Sequence, residues 1–161
     1  MELASWESFF VATVGAGAAL AGLIIVAMSV NVATIIAIES MPSRAGATIA
    51  SLLLIVIVGA AGLIPAISLP AFGAVTLAFT LVVAVLYWRT SIIGFRNPHG
   101  HLRDHVLRAL WSILQLLPMI VGGVLAFGAS DGALYWVAAG FLLTFAGATL
   151  NAWVLLVEIL R

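Results

Sequence analysis

Long apolar runs separated by short polar turns make up nearly the whole chain. Each run is close to or longer than the ~20 residues that an α-helix needs to cross a ~30 Å hydrocarbon core. The breaks between them are rich in Pro, Gly, Ser and charged residues, which favours turns. The pattern therefore predicts an all-α fold, a bundle of five transmembrane helices in a single domain. The predicted helices cover about residues 9–38, 46–64, 71–93, 106–127 and 133–156.

Composition supports a membrane location and excludes several classes of function. Hydrophobic residues make up 65% of the 161 residues and charged residues 7%, whereas a soluble domain carries roughly 25% charged residues. The sequence has no cysteine, which excludes disulfides and thiolate metal ligands. A formal net charge of zero argues against nucleic acid as a partner. The opening "MELASWESFF" has acids and no basic residue, so it does not resemble a cleavable signal peptide.

Charge is distributed unevenly between the two sides of the predicted bundle. If the N-terminus lies on the first side, the second side has the loops around residues 39–45 and 89–105 and the C-terminus. The first side then has acidic residues and no basic ones. The positive-inside rule makes the second side cytoplasmic, which predicts a multi-pass membrane protein with its N-terminus outside and its C-terminus in the cytoplasm. The second side has all six arginines: Arg44, Arg89, Arg96, Arg103, Arg108 and Arg161.

Two glutamates, Glu39 and Glu158, end the first and last predicted helices on this second side. Both lie within reach of the arginine-rich loops, so we expect salt bridges at the membrane interface rather than a carboxylate pair that does chemistry. The arginines expected to take part are Arg44, Arg89, Arg96, Arg103 and Arg108.

Small residues share one face on the first and on the last predicted helix. At 100° per residue, Gly15, Ala18 and Gly22 lie together on the first helix, and Gly140 and Gly147 on the last. Small residues let another helix backbone approach closely in a membrane. These faces predict helix packing, either inside one bundle or between copies in a homo-oligomer.

Polar residues inside the predicted helices fall near one depth. Asn31, Gln115 and Asn151 lie roughly 10–14 Å above the inner boundary, and Ser51 and Thr80 are near the same level. An amide that faces lipid leaves donors and acceptors unpaired, so these side chains should face inward and bond one another. We expect a polar layer in the cytoplasmic half. It is either a set of interhelical hydrogen bonds or a constriction on a permeation path, and its lack of charge argues against a proton relay.

All three histidines, His99, His101 and His105, lie in the segment "RNPHGHLRDHVLR". In a helix that begins near Pro98, His101 and His105 would be four residues apart on one face, a spacing that permits zinc binding without being diagnostic. A solvated loop whose arginines meet lipid headgroups, or a docking site for protein or nucleotide, explains the segment as well. We expect no metal, no cofactor and no catalytic residue.

The two ends of the chain resemble a group of small bacterial inner-membrane proteins. The resemblance is carried by "FFVATVGAGAALAGLIIVAMSVN" at residues 9–31 and "LNAWVLLVEILR" at residues 150–161. Some members are labelled modulators of the membrane protease FtsH. The resemblance implies that Asn31, Asn151 and Glu158 occupy positions typical of the group, and it implies no reaction, substrate or cofactor.

Three classes of function follow from these patterns. The first is a non-catalytic membrane protein that acts by helix–helix contact, as a subunit, assembly factor or modulator of a membrane complex. The second is a small homo-oligomeric channel or transporter that uses the polar layer. The third is a membrane enzyme that would need a metal in the histidine segment. Expected partners are the lipid bilayer and either further copies of the chain or another membrane protein.

Overall fold

A computed structural model of the chain describes residues 3–30, 32, 41–95 and 102–153. A single 3₁₀ turn, Leu3–Trp6, leads into the first of five α-helices within these ranges. No strand occurs in the part of the chain that is described, so the all-α prediction is confirmed there. The helices are α1 (Glu7–Val30), α2 (Met41–Gly62), α3 (Leu69–Phe95), α4 (Leu102–Phe127) and α5 (Ala133–Trp153).

The helix ends follow local chemistry in the two described turns. The Ser68 hydroxyl accepts a bond from the Ala71 amide at 3.4 Å, which caps the first turn of α3. At the end of α4, Ala129 adopts a left-handed φ of 53°, and the Ser130 amide donates to the Leu125 carbonyl at 2.9 Å. That six-to-one bond is a Schellman-type ending. These two turns therefore lie where the sequence predicted them. The loop predicted around residues 39–45 is wrong for residues 41–45, which form the start of α2, because proline is well tolerated in the first turn of a helix.

Four of the helices form a closed ring, and the fifth packs on its outside. Helix α2 contacts α3 and α5, and α4 contacts the same two helices from the opposite side. Helix α1 packs mainly against α2 and makes a smaller contact with α5. Helices α3 and α4 run antiparallel, as do α4 and α5, because Gly73 lies beside Gly123 and Gly122 beside Val137. The core of the protein is therefore the interior of the four-helix ring together with the α1–α2 seam.

Within the described ranges, four helical stretches are long and apolar enough to cross a membrane: Leu3–Val30, Ala45–Gly62, Leu69–Arg89 and Ala133–Trp153. Among the described side chains of α4, Ile113–Phe127 forms an apolar stretch. Side chains that are exposed on these helices are mostly large and apolar, such as Leu81, Val82 and Ile113. A surface of that kind is stable in lipid and unfavourable in water, so the structure indicates a helical membrane protein.

Aromatic rings join α1, α3 and α5 at the end of the bundle where these three helices begin, which we call the N-terminal end. Trp6 meets Tyr135 edge-on at a centroid distance of 4.9 Å, and Phe9 stacks on Phe141 at 6.1 Å. Phe10, which is almost fully buried, packs against a ring of α3. These aromatic contacts hold α1 against the ring of four helices. We call the opposite end of the bundle the far end.

Candidate functional site: a polar cluster inside the helical ring

The interior of the ring contains a hydrogen-bonded cluster of three side chains from three helices. The side-chain amide Nε2 of Gln115 on α4 donates to the Tyr87 hydroxyl on α3 at 2.7 Å. The same hydroxyl lies 2.8 Å from Oγ of Ser51 on α2. Ser51 also donates to the carbonyl of Ala47 at 3.0 Å. The cluster therefore ties α2, α3 and α4 together at one level.

A second polar pair joins α2 to α5. The amide Nδ2 of Asn151 donates to the Thr48 hydroxyl at 3.3 Å. Thr48 lies one turn from Ser51 on α2, towards the far end of the bundle. With this pair, every helix of the ring carries a polar group that bonds a neighbouring helix. We call Thr48, Ser51, Tyr87, Gln115 and Asn151 the polar cluster.

The polar cluster contains three of the five residues chosen from the sequence. Gln115, Asn151 and Ser51 all belong to it, although Gln115 and Asn151 bond Tyr87 and Thr48 rather than each other. Asn31 lies outside the described residues, so its place in the layer stays a prediction. The fifth residue, Thr80, is completely buried on α3 but is not bonded to the cluster.

Sequence reasoning missed Tyr87 and Thr48. Tyr87 lies beside Trp88 and Arg89 near the end of an apolar run, which is the usual composition of an interfacial aromatic belt. A helical side chain leans towards the N-terminus of its own helix, so the Tyr87 hydroxyl reaches deeper than its backbone position suggests. The direction of the Tyr87 side chain, together with the similar predicted depth of Ser51 and Gln115, could have identified Tyr87 as their partner from the sequence.

Glycines on α5 allow the close approach that the sequence predicted for that helix. A Cβ at Gly140 would lie 2.6 Å from Cγ of Met119 on α4. A Cβ at Gly147 would collide with the indole Nε1 of Trp111 and lie 3.2 Å from Oε1 of Gln115. Gly147 thus makes room for Trp111 and for Gln115, which belongs to the polar cluster.

On α1 the residues that pack inside the bundle differ from the predicted small-residue face. Gly17 is buried, and a Cβ there would lie 3.1 Å from Cγ2 of Val56 on α2. Gly15, Ala18 and Gly22 are exposed, and a Cβ at either glycine would meet nothing within 4 Å. Helix α1 has small residues on two faces, and periodicity alone does not tell which of them turns inward. We call Gly15, Ala18 and Gly22 the outer face of α1.

Most charged candidates lie outside the part of the chain that can be described. Arg89 is exposed on α3. Arg44, Arg103, Arg108 and His105 occupy helical positions whose side chains are not described. The predicted interfacial salt bridges and the metal hypothesis for the histidine segment stay predictions. The residues wholly outside the described ranges are Glu39, Arg96, His99, His101, Glu158 and Arg161.

An open cleft of about 520 Å³ lies at the N-terminal end of the bundle. It is formed between the 3₁₀ turn and the loop from α2 to α3. Its lining is apolar except for Glu7, which is exposed at the start of α1. The cleft is therefore a separate surface feature, unconnected to the polar cluster near the far end.

Comparisons with protein-family models, with curated proteins and with solved structures gave no match to this chain.

Proposed function

We propose that this protein is a non-catalytic membrane protein that acts by helix–helix contact, as a subunit, assembly factor or modulator of a membrane complex. The observation that carries this proposal is the outer face of α1. Gly15, Ala18 and Gly22 form a small-residue surface on a helix whose opposite side is already packed against α2. A transmembrane helix of a membrane-protein partner is the occupant that fits this surface.

The chemistry of the outer face supports a helix as its occupant. Contact with lipid does not favour small residues over large ones, because lipid tails are as apolar as a leucine side chain. Close approach of two backbones, by contrast, needs small residues at the contact and gains van der Waals packing from them. The outer face of α1 is a local patch of small residues, and large side chains such as Leu23 and Val26 are exposed beside it.

The polar cluster supports a structural role for the bundle interior. Gln115 is 3% exposed, and its amide bonds the Tyr87 hydroxyl, while Asn151 bonds Thr48. Each bond joins two different helices of the ring. Contacts of this kind hold helices in register and leave the groups neutral, as expected for a scaffold that presents α1 to a partner.

We infer that the chain crosses a bacterial inner membrane five times. Its N-terminus would then lie outside and its C-terminus in the cytoplasm. Helix α4 supports the fifth crossing because it runs antiparallel to α5, with Gly122 beside Val137 and Trp111 beside Gly147. The six-to-none distribution of arginines supports the orientation, and the resemblance of the two terminal helices supports the type of membrane. Reporter fusions within the 128–132 loop and at the C-terminus test this topology, and finding both on one side would refute it.

Disruption of the outer face by a single side chain tests the proposed function. Gly22→Leu fills the open space on the outer face, and Gly46→Leu is the matched control because a Cβ there also meets nothing within 4 Å. The protein is extracted from its native membrane in mild detergent, and native mass spectrometry measures the bound partner. We expect Gly22→Leu to reduce the complex at least ~10-fold, which corresponds to about 1.4 kcal/mol. Gly46→Leu should retain it.

The identity of the partner distinguishes the forms of the proposal. A different membrane protein lost in Gly22→Leu supports a subunit or modulator. A second copy lost in the same variant means that the small-residue surface is a homo-oligomeric interface. A wild-type protein that is monomeric without a partner, or a complex unchanged in both Gly15→Leu and Gly22→Leu, would refute contact through this face.

A further inference from the structure

The cleft at the N-terminal end of the bundle combines an apolar lining with one carboxylate. Its volume is about 520 Å³, and most of its lining side chains are apolar, such as Leu3, Leu63 and Ile64. Glu7 is the charged member of the lining, and it forms no hydrogen bond or ion pair with any residue that the structure describes. Small-molecule sites of about 300–1,000 Å³ are commonly built in this way, mostly apolar with a few polar groups. The cleft therefore suits an amphiphilic ligand.

One wall of the cleft is an unusually apolar loop. Residues 63–68, between α2 and α3, read LIPAIS. Ser68 is the polar residue among them, and its hydroxyl accepts a bond from the Ala71 amide. Ile64 is 54% exposed. Because exposed apolar side chains are unfavourable in water, this wall is suited to contact with hydrocarbon.

The depth of the cleft follows from the length of α1 and from the charge of Glu7. The span Leu3–Val30 has 28 residues, which is about 42 Å of helix, whereas the hydrocarbon core is ~30 Å thick. This span can therefore reach into the headgroup layer. A carboxylate inside hydrocarbon is costly, so Glu7 belongs at the headgroup level and the apolar loop at the edge of the hydrocarbon. The cleft then opens at the boundary between headgroups and acyl chains.

The described part of the chain supplies no basic side chain at this end of the bundle. Arginines occupy helical positions near the start of α2, the end of α3 and the start of α4, all towards the far end: Arg44, Arg89, Arg103 and Arg108. A cation that pairs with Glu7 therefore has to come from outside the described chain. At this depth the surrounding polar groups are those of phospholipids.

We propose that the cleft binds one phospholipid with a primary-ammonium headgroup, the ammonium on the Glu7 carboxylate and the upper part of an acyl chain against the loop wall. A primary ammonium donates charge-assisted hydrogen bonds to a carboxylate. A quaternary ammonium has no N–H to donate, and an anionic headgroup is repelled by Glu7. The cleft should therefore bind ethanolamine, choline and glycerol headgroups in that order of decreasing affinity.

Lipid titration followed by native mass spectrometry measures this preference. The purified full chain, stripped of lipid in mild detergent, is titrated with phosphatidylethanolamine, phosphatidylcholine or phosphatidylglycerol that have identical acyl chains. Glu7→Gln should weaken phosphatidylethanolamine binding ~3- to 5-fold, as expected for an exposed ion pair, and leave phosphatidylcholine binding unchanged. Asp131→Asn is the matched control because it removes a charge from an exposed residue at the same end, outside the cleft lining. Equal affinity of the wild type for all three lipids, or of Glu7→Gln and wild type for phosphatidylethanolamine, would overturn the proposal.

A second pair of variants tests the cleft without changing any charge. Ala4 lines the cleft, so Ala4→Phe should fill it and weaken the binding of phosphatidylethanolamine and phosphatidylcholine alike. Ala71→Phe should keep wild-type binding, since Ala71 is exposed at the same end on α3 but does not line the cleft. Wild-type binding in Ala4→Phe would refute the cleft as the site. The outer face of α1 is unchanged in all these variants, so the result is independent of the proposed function.

Discussion

Removal of one hydroxyl should break the polar cluster at its centre. Tyr87→Phe deletes the oxygen that accepts from Gln115 at 2.7 Å and lies 2.8 Å from Ser51 Oγ. Ser51 keeps its bond to the Ala47 carbonyl. Gln115, which is 3% exposed, has no other hydrogen bond among the described residues. The loss therefore falls mainly on a buried amide of α4.

The magnitude follows from these contacts. An interhelical hydrogen bond in a membrane protein contributes on average ~0.6 kcal/mol. A buried donor left without a partner costs about 1–3 kcal/mol. The bonds to Gln115 and Ser51 are lost and the buried Gln115 amide is left without its described partner, so we expect Tyr87→Phe to lower the free energy of unfolding by about 1–2 kcal/mol. That is roughly a 5- to 30-fold change in the folded-to-unfolded ratio.

The assay is equilibrium unfolding in mixed micelles, with a denaturing detergent as the variable. Tyr135→Phe is the matched control because it removes the same hydroxyl from a residue that is 61% exposed at the N-terminal end. The double variant Tyr87→Phe with Gln115→Leu should recover part of the loss, since both polar partners are then gone. Equal stability of Tyr87→Phe and Tyr135→Phe would refute the reasoning, because it would mean that the cluster contributes nothing measurable.

Two further substitutions test the packing and the second polar pair. Gly147→Ala should lower the free energy of unfolding by about 1–3 kcal/mol, because its Cβ would collide with the Trp111 indole. Gly22→Ala should be nearly neutral, because nothing lies within 4 Å of a Cβ there. The same unfolding assay compares the two variants, and similar losses of stability would contradict the close approach of α5 to α4. Asn151→Leu should lower the free energy of unfolding by less than about 1 kcal/mol, since the Asn151–Thr48 hydrogen bond is long at 3.3 Å. In liposomes, a flux through this variant equal to that of the wild type would exclude Asn151 as part of a permeation path.

The members of the polar cluster could be predicted from the sequence only in part. Depth along a helix can be counted from the sequence, because each residue adds 1.5 Å. Counting was enough to select Ser51, Gln115 and Asn151, which all belong to the polar cluster. It was not enough to find their partners, because Tyr87 is identified as a partner only through the direction in which its side chain leans.

By itself, the sequence determined the helical class of this protein, the apolar segments and the turns around residues 63–68 and 128–132. These depend on hydrophobicity, on glycine and proline, and on capping groups, all of which act within a few residues of chain. Only the tertiary structure decided which face of α1 turns inward and which hydroxyl joins the amides. Gly17 packs on α2 while Gly15 and Gly22 face outward. The face of α1 that turns inward depends on its fit to Val56, which is distant in sequence, so the local pattern of α1 does not predict it.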